Sequence, residues 1–161
     1  MKLKIITLLT LVNLTFCTDK NQKEFNVIEI MEKDVLINDW KIPENPTLSN
    51  LSTKFNIKKE TDPNTNSERI FLENGLEILL DKEKYFISGF KINYDLNKNK
   101  IFYIGSVKIN QLEISRFTSP DQIKQYFNCR GIFCGMEFNK VYVSFTMNLD
   151  KSKINSIQIH L

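Results

Sequence analysis

Alanine is absent from this 161-residue chain, glycine occurs five times and histidine once. Each scarcity closes a route to function. Five glycines leave little for a phosphate-cradling loop, and neither G-x-x-x-x-G-K-[ST] nor G-x-G-x-x-G occurs. G-x-S-x-G and H-E-x-x-H are also missing, so neither a nucleophile elbow nor a zinc-protease helix is written in the sequence. The lone imidazole, His160, stands next to the C-terminus. No spacing ties it to a nucleophile, and strand parity turns it away from its apolar neighbours. Two thiols in the folded part and one distant histidine cannot fill the four positions of a closed zinc site. No metal and no cofactor is implied.

Charge of one sign is equally scarce. The formal charge is +3, and setting aside Lys2 and Lys4 leaves 20 basic and 19 acidic residues. That balance lacks the clustered excess of Lys and Arg that displaces counterions from nucleic acid, so no nucleic-acid partner is expected. With 42% hydrophobic and 25% charged residues the chain has the make-up of an ordinary globular protein. Carboxylates are plentiful: Glu68, Glu73, Glu77, Asp81, Glu83 and Glu137 among them. Glu77 and Glu137 alternate with apolar neighbours, the parity of a solvent-facing strand position, and no pair of acids is marked for glycoside hydrolysis.

What is present begins with an address. Lys2 and Lys4 precede an apolar stretch, residues 5–17, of 13 residues, and a polar run from Thr18 follows. Thirteen residues fall short of the roughly 20 of a membrane-crossing helix. A positive start, a short apolar centre and an abrupt polar boundary make a secretory signal. Cys17 closes the apolar stretch in the context Leu14-Thr15-Phe16-Cys17. Residues 18–24 read as a polar tether. Ordinary cleavage beyond Cys17 and an uncleaved anchor are the alternatives for this segment.

The remainder reads as a duplication. Residues 35–42 lie over 107–114 at an offset of 72, with Val, Ile, Asn and Ile coinciding and Trp40 facing Leu112. The same offset places Thr47 on Ser119, Leu51 on Ile123 and Phe55 on Phe127. At an offset of 67, residues 87–92 lie over 154–159, so the five-residue difference falls in a loop. Alternating apolar residues around Asn38-Asp39 and Asn110-Gln111 predict hairpins. Ser119-Pro120-Asp121-Gln122 is a capping-box helix start, with Thr47 as its counterpart. Three further strands are predicted after each helix: 69–72, 75–80 and 85–94, then 136–139, 141–148 and 154–161. Residues 25–31 and 100–104 would add a leading strand to each half.

The expected fold class is therefore α+β. It comprises two tandem pseudo-symmetric ββαβββ units, residues 25–95 and 100–161, joined by a turn at 95–99. The sheet is mostly antiparallel, with one short helix per unit.

Two constellations stand apart from packing. Cys129 and Cys134 have C-x4-C spacing between a helix and a strand. In an oxidising compartment they would form a disulfide; otherwise they are two buried thiols. Aromatic residues at polar parity mark a candidate binding surface, with Trp40, Tyr126 and Tyr142 foremost.

Residues 1–17 resemble a bacterial lipoprotein signal, in which Cys17 would be the lipidated first residue of the mature chain; Phe16 stands where a small residue is usual. The repeated x-Ile-Asn-x-x-x-Ile hairpin and capped helix over 35–161 resemble small bacterial envelope domains that occur in tandem. No catalytic residues accompany that resemblance. The expectation is a non-catalytic envelope lipoprotein, held to a membrane by its N-terminal lipid and binding an unknown protein partner. An inhibitor or immunity protein against a secreted toxin or lysozyme-like enzyme is one alternative, and a cell-wall hydrolase another.

Overall fold

A computed structural model describes residues 26–31, 34–62, 65–73, 75–81, 85–94, 103, 105–138 and 140–161. The signal, Cys17 and the tether lie outside the described residues, as do the expected turn at 95–99 and most of the expected leading strand 100–104. In chain order the elements begin with β1 (Asn26–Ile30), β2 (Val35–Ile37), β3 (Trp40–Lys41), α1 (Leu48–Ser52), β4 (Ile57–Thr61), β5 (Glu68–Leu72), β6 (Glu77–Asp81) and β7 (Phe86–Asn93). They continue with β8 (Gly105–Ile109), β9 (Leu112–Ile114), α2 (Pro120–Lys124), β10 (Asn128–Arg130), β11 (Phe133–Phe138), β12 (Val141–Met147) and β13 (Ile154–His160). The architecture is α+β: two sheets, mostly antiparallel, with two short helices.

Short alternating stretches make the smaller sheet, in the order β3-β2-β1-β8-β9. Asn38 and Asp39 turn the β2–β3 hairpin with φ of 50° and 63°. Both central residues at positive φ is the type I′ geometry that matches strand twist, and Asn and Asp tolerate it best. Asn110 does the same service between β8 and β9 with φ of 54°. At the middle of this sheet β1 and β8 run parallel, with Ile28 opposite Val107 and Ile30 opposite Ile109. A parallel pair needs a long crossover, and here the chain between the two strands supplies α1 and β2 to β7.

The larger sheet has the order β10-β11-β12-β13-β7-β6-β5-β4, antiparallel throughout. Its two central strands, β7 and β13, pair with Ile92 opposite Ile157 and Phe90 opposite Ile159. All four side chains are fully buried.

Both helices are five residues long, too short to hold together alone. Each starts on a complete capping box. Thr47 accepts from the Asn50 N–H and Ser119 from the Gln122 N–H, while the Asn50 and Gln122 side chains return to the cap N–H groups. Leu51 and Ile123 then bury one face of each turn. These side chains join the inward residues of both sheets in one hydrophobic cluster.

Four strands follow each helix, not three, so the order around each helix is ββαββββ rather than ββαβββ. The additions are β4, between α1 and β5 where the two halves differ in length, and β10, at the first cysteine. β4 carries a single apolar residue, Ile57, followed by Lys58, Lys59, Glu60 and Thr61, all exposed. An edge strand wet on both faces has no alternation to betray it, and its lysines discourage pairing with another chain. The other sheet edges, β3, β9 and β10, are two or three residues long.

Phe127 shows where packing is tightest. It is 5% exposed and meets Phe145 edge-on at 4.5 Å and Phe138 at 6.3 Å between ring centroids. Phe127→Ala is expected to lower stability by about 3–5 kcal/mol. The measurement is a urea midpoint shift at unchanged m-value.

Candidate binding face

One side of the larger sheet packs on the core, and period-two alternation sends every second side chain to the other side. The pairings lay out what that second side presents. One row crosses the sheet as Glu137, Tyr142, His160, Gly89 and Leu79. The next runs Gly135, Ser144, Gln158, Lys91, Glu77 and Phe71.

In the second half of the chain this face is flat and partly aromatic. Tyr142 is 47% exposed and its ring lies 6.0 Å from that of His160. The ring leans diagonally over Gly135, where an added Cβ would collide with the Tyr142 hydroxyl and ring. Gly89, opposite His160, leaves the other flank of the imidazole without a side chain. Phe133, 61% exposed, projects from the start of β11 on the same face. Rigid rings set among Ser144, Gln158 and Glu137 combine apolar area with hydrogen-bonding ends, the make-up of recognition surfaces.

In the first half the same face is closed. Glu77 is buried, although strand parity alone predicts a solvated carboxylate; Glu137 is exposed as expected. The parity is as read, but the Arg69 side chain roofs the site. The Arg69 Nε donates to Glu77 Oε1 at 2.8 Å and its terminal nitrogen to Oε2 at 2.7 Å. Asn93 Nδ2 adds a third bond to Oε2 at 3.1 Å. The guanidinium also lies 4.9 Å from the centroid of Phe71, which is 1% exposed on this face. Burial opposes ionisation of Glu77, but the Arg69 hydrogen bonds and charge, with Lys91 and Asn93, hold its carboxyl below the usual range. The same partnership raises Arg69. Tyr94 and Tyr103 are pushed up by burial, and among the described residues the Tyr94 hydroxyl is a buried side-chain polar atom without a partner.

Cys129 and Cys134 form a disulfide. They sit directly opposite one another on β10 and β11. Gly131, with φ of 63°, opens the two-residue turn between Arg130 and Phe133, a position that favours glycine. An open groove of about 500 Å³ lies elsewhere, lined by Thr47, Leu48, Ser49, Leu80, Asp81 and Tyr85. Its walls are mainly apolar, and Asp81 is its single carboxylate. Among the described residues no three His, Cys, Asp or Glu side chains gather in a metal-binding group.

The three aromatics singled out by parity land in different places. Trp40 is half-buried and packs edge-on against Phe55 at 5.6 Å, beside the core. Tyr126 is 56% exposed just beyond α2. Tyr142 alone lies on the open face of the larger sheet. The site residues that sequence reasoning misses are Phe133, hidden beside the cysteines, and the Arg69, Glu77 and Asn93 group. The latter meets through strand pairing across three elements and leaves no local signal.

No family model matches the chain, and neither a curated protein nor a solved structure matches it.

Two outcomes are expected. Glu77 has a lowered folded-state pKa, so its stabilisation is complete above the unfolded value of about 4.3 and is lost as pH falls through the folded value. Chemical unfolding at pH 7 and below pH 4 should show that loss, and Glu77→Gln should flatten this acid limb while costing about 3–5 kcal/mol at neutral pH through the stranded Arg69. Replacing both Cys129 and Cys134 by Ser should cost about 2 kcal/mol, as befits a short loop. The same urea midpoint reads it.

Proposed function

We propose that the chain is a cell-envelope lipoprotein, anchored through Cys17, whose folded part binds another protein rather than catalysing a reaction. Tandem duplication of one hairpin, helix and sheet unit is part of this proposal, on the strength of the aligned repeats and the two capping boxes. The observation that carries the binding reading is the open face of the larger sheet. There Tyr142, His160 and Phe133 stand on a surface flattened by Gly135 and Gly89, and among the described residues no side chain closes it as Arg69 closes the other half. Aromatic side chains in such settings supply most of the energy at protein interfaces. The envelope reading is supported by the apolar stretch ending at Cys17, and separately by the Cys129–Cys134 disulfide, since such bonds persist in oxidising compartments. Among the described residues Glu77 is the acid that is buried, and its carboxylate is committed to Arg69 and Asn93.

Two measurements test this. Intact mass of the mature chain from the native envelope should match a chain beginning at acylated Cys17; a chain beginning beyond residue 17 removes the anchor. Tyr142→Ala and His160→Ala should each weaken saturable capture of the partner from envelope extract at least tenfold with the urea midpoint unchanged. Trp40→Ala should instead lower stability, because its ring packs on Phe55, and leave capture by the folded fraction intact. Equal capture by wild type and both face variants would contradict the reading.

A further inference from the structure

The strand directions bring several exposed groups to one end of the molecule. Met147 N–H donates to the Ile132 carbonyl at 2.8 Å, so the β10–β11 turn and the β12–β13 turn lie side by side. Tyr94 N–H donates to Asn155 and Tyr103 N–H to Asn93, which puts the end of β7 and the approach to β8 at that same end. β8 begins at Gly105 beside Asn26, the first residue of β1. The pairing of Val107 with Ile114 carries the chain after β9, Arg116 and Phe117, to the same place. Asn26, the described residue nearest Cys17 along the chain, therefore lies at the end that displays the two turns and the Arg116/Phe117 loop.

That end has a distinct chemistry. Phe117 is 80% exposed, Leu149 90% and Phe133 61%, three of the largest exposed apolar groups among the described residues. Interleaved with them are Arg116, Arg130, Lys151 and Lys153, all at or beside the same loops. Of the described acids nearby, Asp150 caps its own turn by accepting from the Ser152 N–H, Glu73 accepts from Asn56, and Asp39 lies in the β2–β3 turn. The bias extends through the half-chain: residues 100–161 hold eight basic and four acidic side chains, against nine and thirteen in residues 25–95. Eight residues lie between Cys17 and Asn26, a reach of at most about 30 Å even when fully extended.

We propose that this end docks on an anionic phospholipid bilayer, with Phe117 and Leu149 entering the headgroup region and Arg116, Arg130, Lys151 and Lys153 meeting lipid phosphates. The inference rests on the lipoprotein reading for its tether. One acyl chain alone gives only marginal membrane binding, and a basic patch adds to the hold of a lipid anchor. Each basic side chain near an anionic surface adds about fivefold to partitioning. Docking at this end directs the Tyr142 face along the side of the molecule, away from the bilayer, where a partner protein can reach it.

The test is hydrogen exchange on the full mature chain bound to vesicles of phosphatidylglycerol and phosphatidylcholine at 3:7, and to phosphatidylcholine alone. Amides of residues 116–118, 131–133 and 148–153 should exchange at least fivefold more slowly on the anionic vesicles than on the neutral ones. Lys151→Glu with Lys153→Glu, both on an exposed turn, should abolish that difference without altering exchange in β12 and β13. A vesicle-bound chain whose three loops exchange equally on both surfaces overturns the docking alone. A chain that washes off both vesicles, with no acyl group on Cys17, overturns the docking together with the anchor.

Discussion

Everything else in the molecule hangs on the antiparallel pairing of β7 with β13. β7 closes the first half of the chain and β13 the second, yet they lie side by side at the centre of the larger sheet, with Ile92 on Ile157 and Phe90 on Ile159. Without that seam the larger sheet would fall into two four-stranded pieces, each with a long apolar edge. The parallel contact of β1 with β8 joins the smaller sheet in the same way. Two helices of five residues could not bridge such a division, since each buries little more than one large side chain. The core is one cluster because two sheets each run through both halves of the chain.

The seam also divides the labour on the outer face. On the β5, β6 and β7 side, Arg69 closes the surface by holding Glu77 and covering Phe71. A buried ion pair of this kind is poor evidence of net stabilisation, because desolvation offsets the attraction. Its effect is to fix which side chains fill that face. On the β11, β12 and β13 side nothing comparable among the described residues reaches over Tyr142 and His160, and two glycines keep the surface flat. Ion pairs also tie the halves, since Lys108 meets Glu29 at 3.2 Å across β8 and β1. That pair is part-exposed and contributes on the order of 1 kcal/mol or less.

How far the sequence speaks follows from what each element needs. β12 and β13 alternate apolar and polar residues because one face is buried and the other wet, so their positions are legible to within a residue or two. The capping boxes at Thr47 and Ser119 are local chemistry and are equally legible. β4 is not, because a charged edge strand obeys neither periodicity. β10 hides in three residues, and only its pairing with β11 shows why Cys129 meets Cys134. The parallel β1–β8 contact joins residues nearly eighty positions apart and has no local trace. For the candidate face, Tyr142 follows from parity alone, whereas the burial of Glu77 depends on Arg69 arriving from the next strand. Trp40 shows the limit of parity in the other direction: a short strand beside a turn leaves its ring free to fold back onto Phe55.

The seam makes a direct demand on cooperativity. Trp40 is the chain's single tryptophan and reports on the first half, while amide exchange in β12 reports on the second. Urea unfolding followed by Trp40 fluorescence and by the exchange of β12 amides should give one coincident transition, because neither half keeps a closed core once β7 and β13 part. Two separated transitions, with β12 protected after Trp40 has been released, would contradict the account.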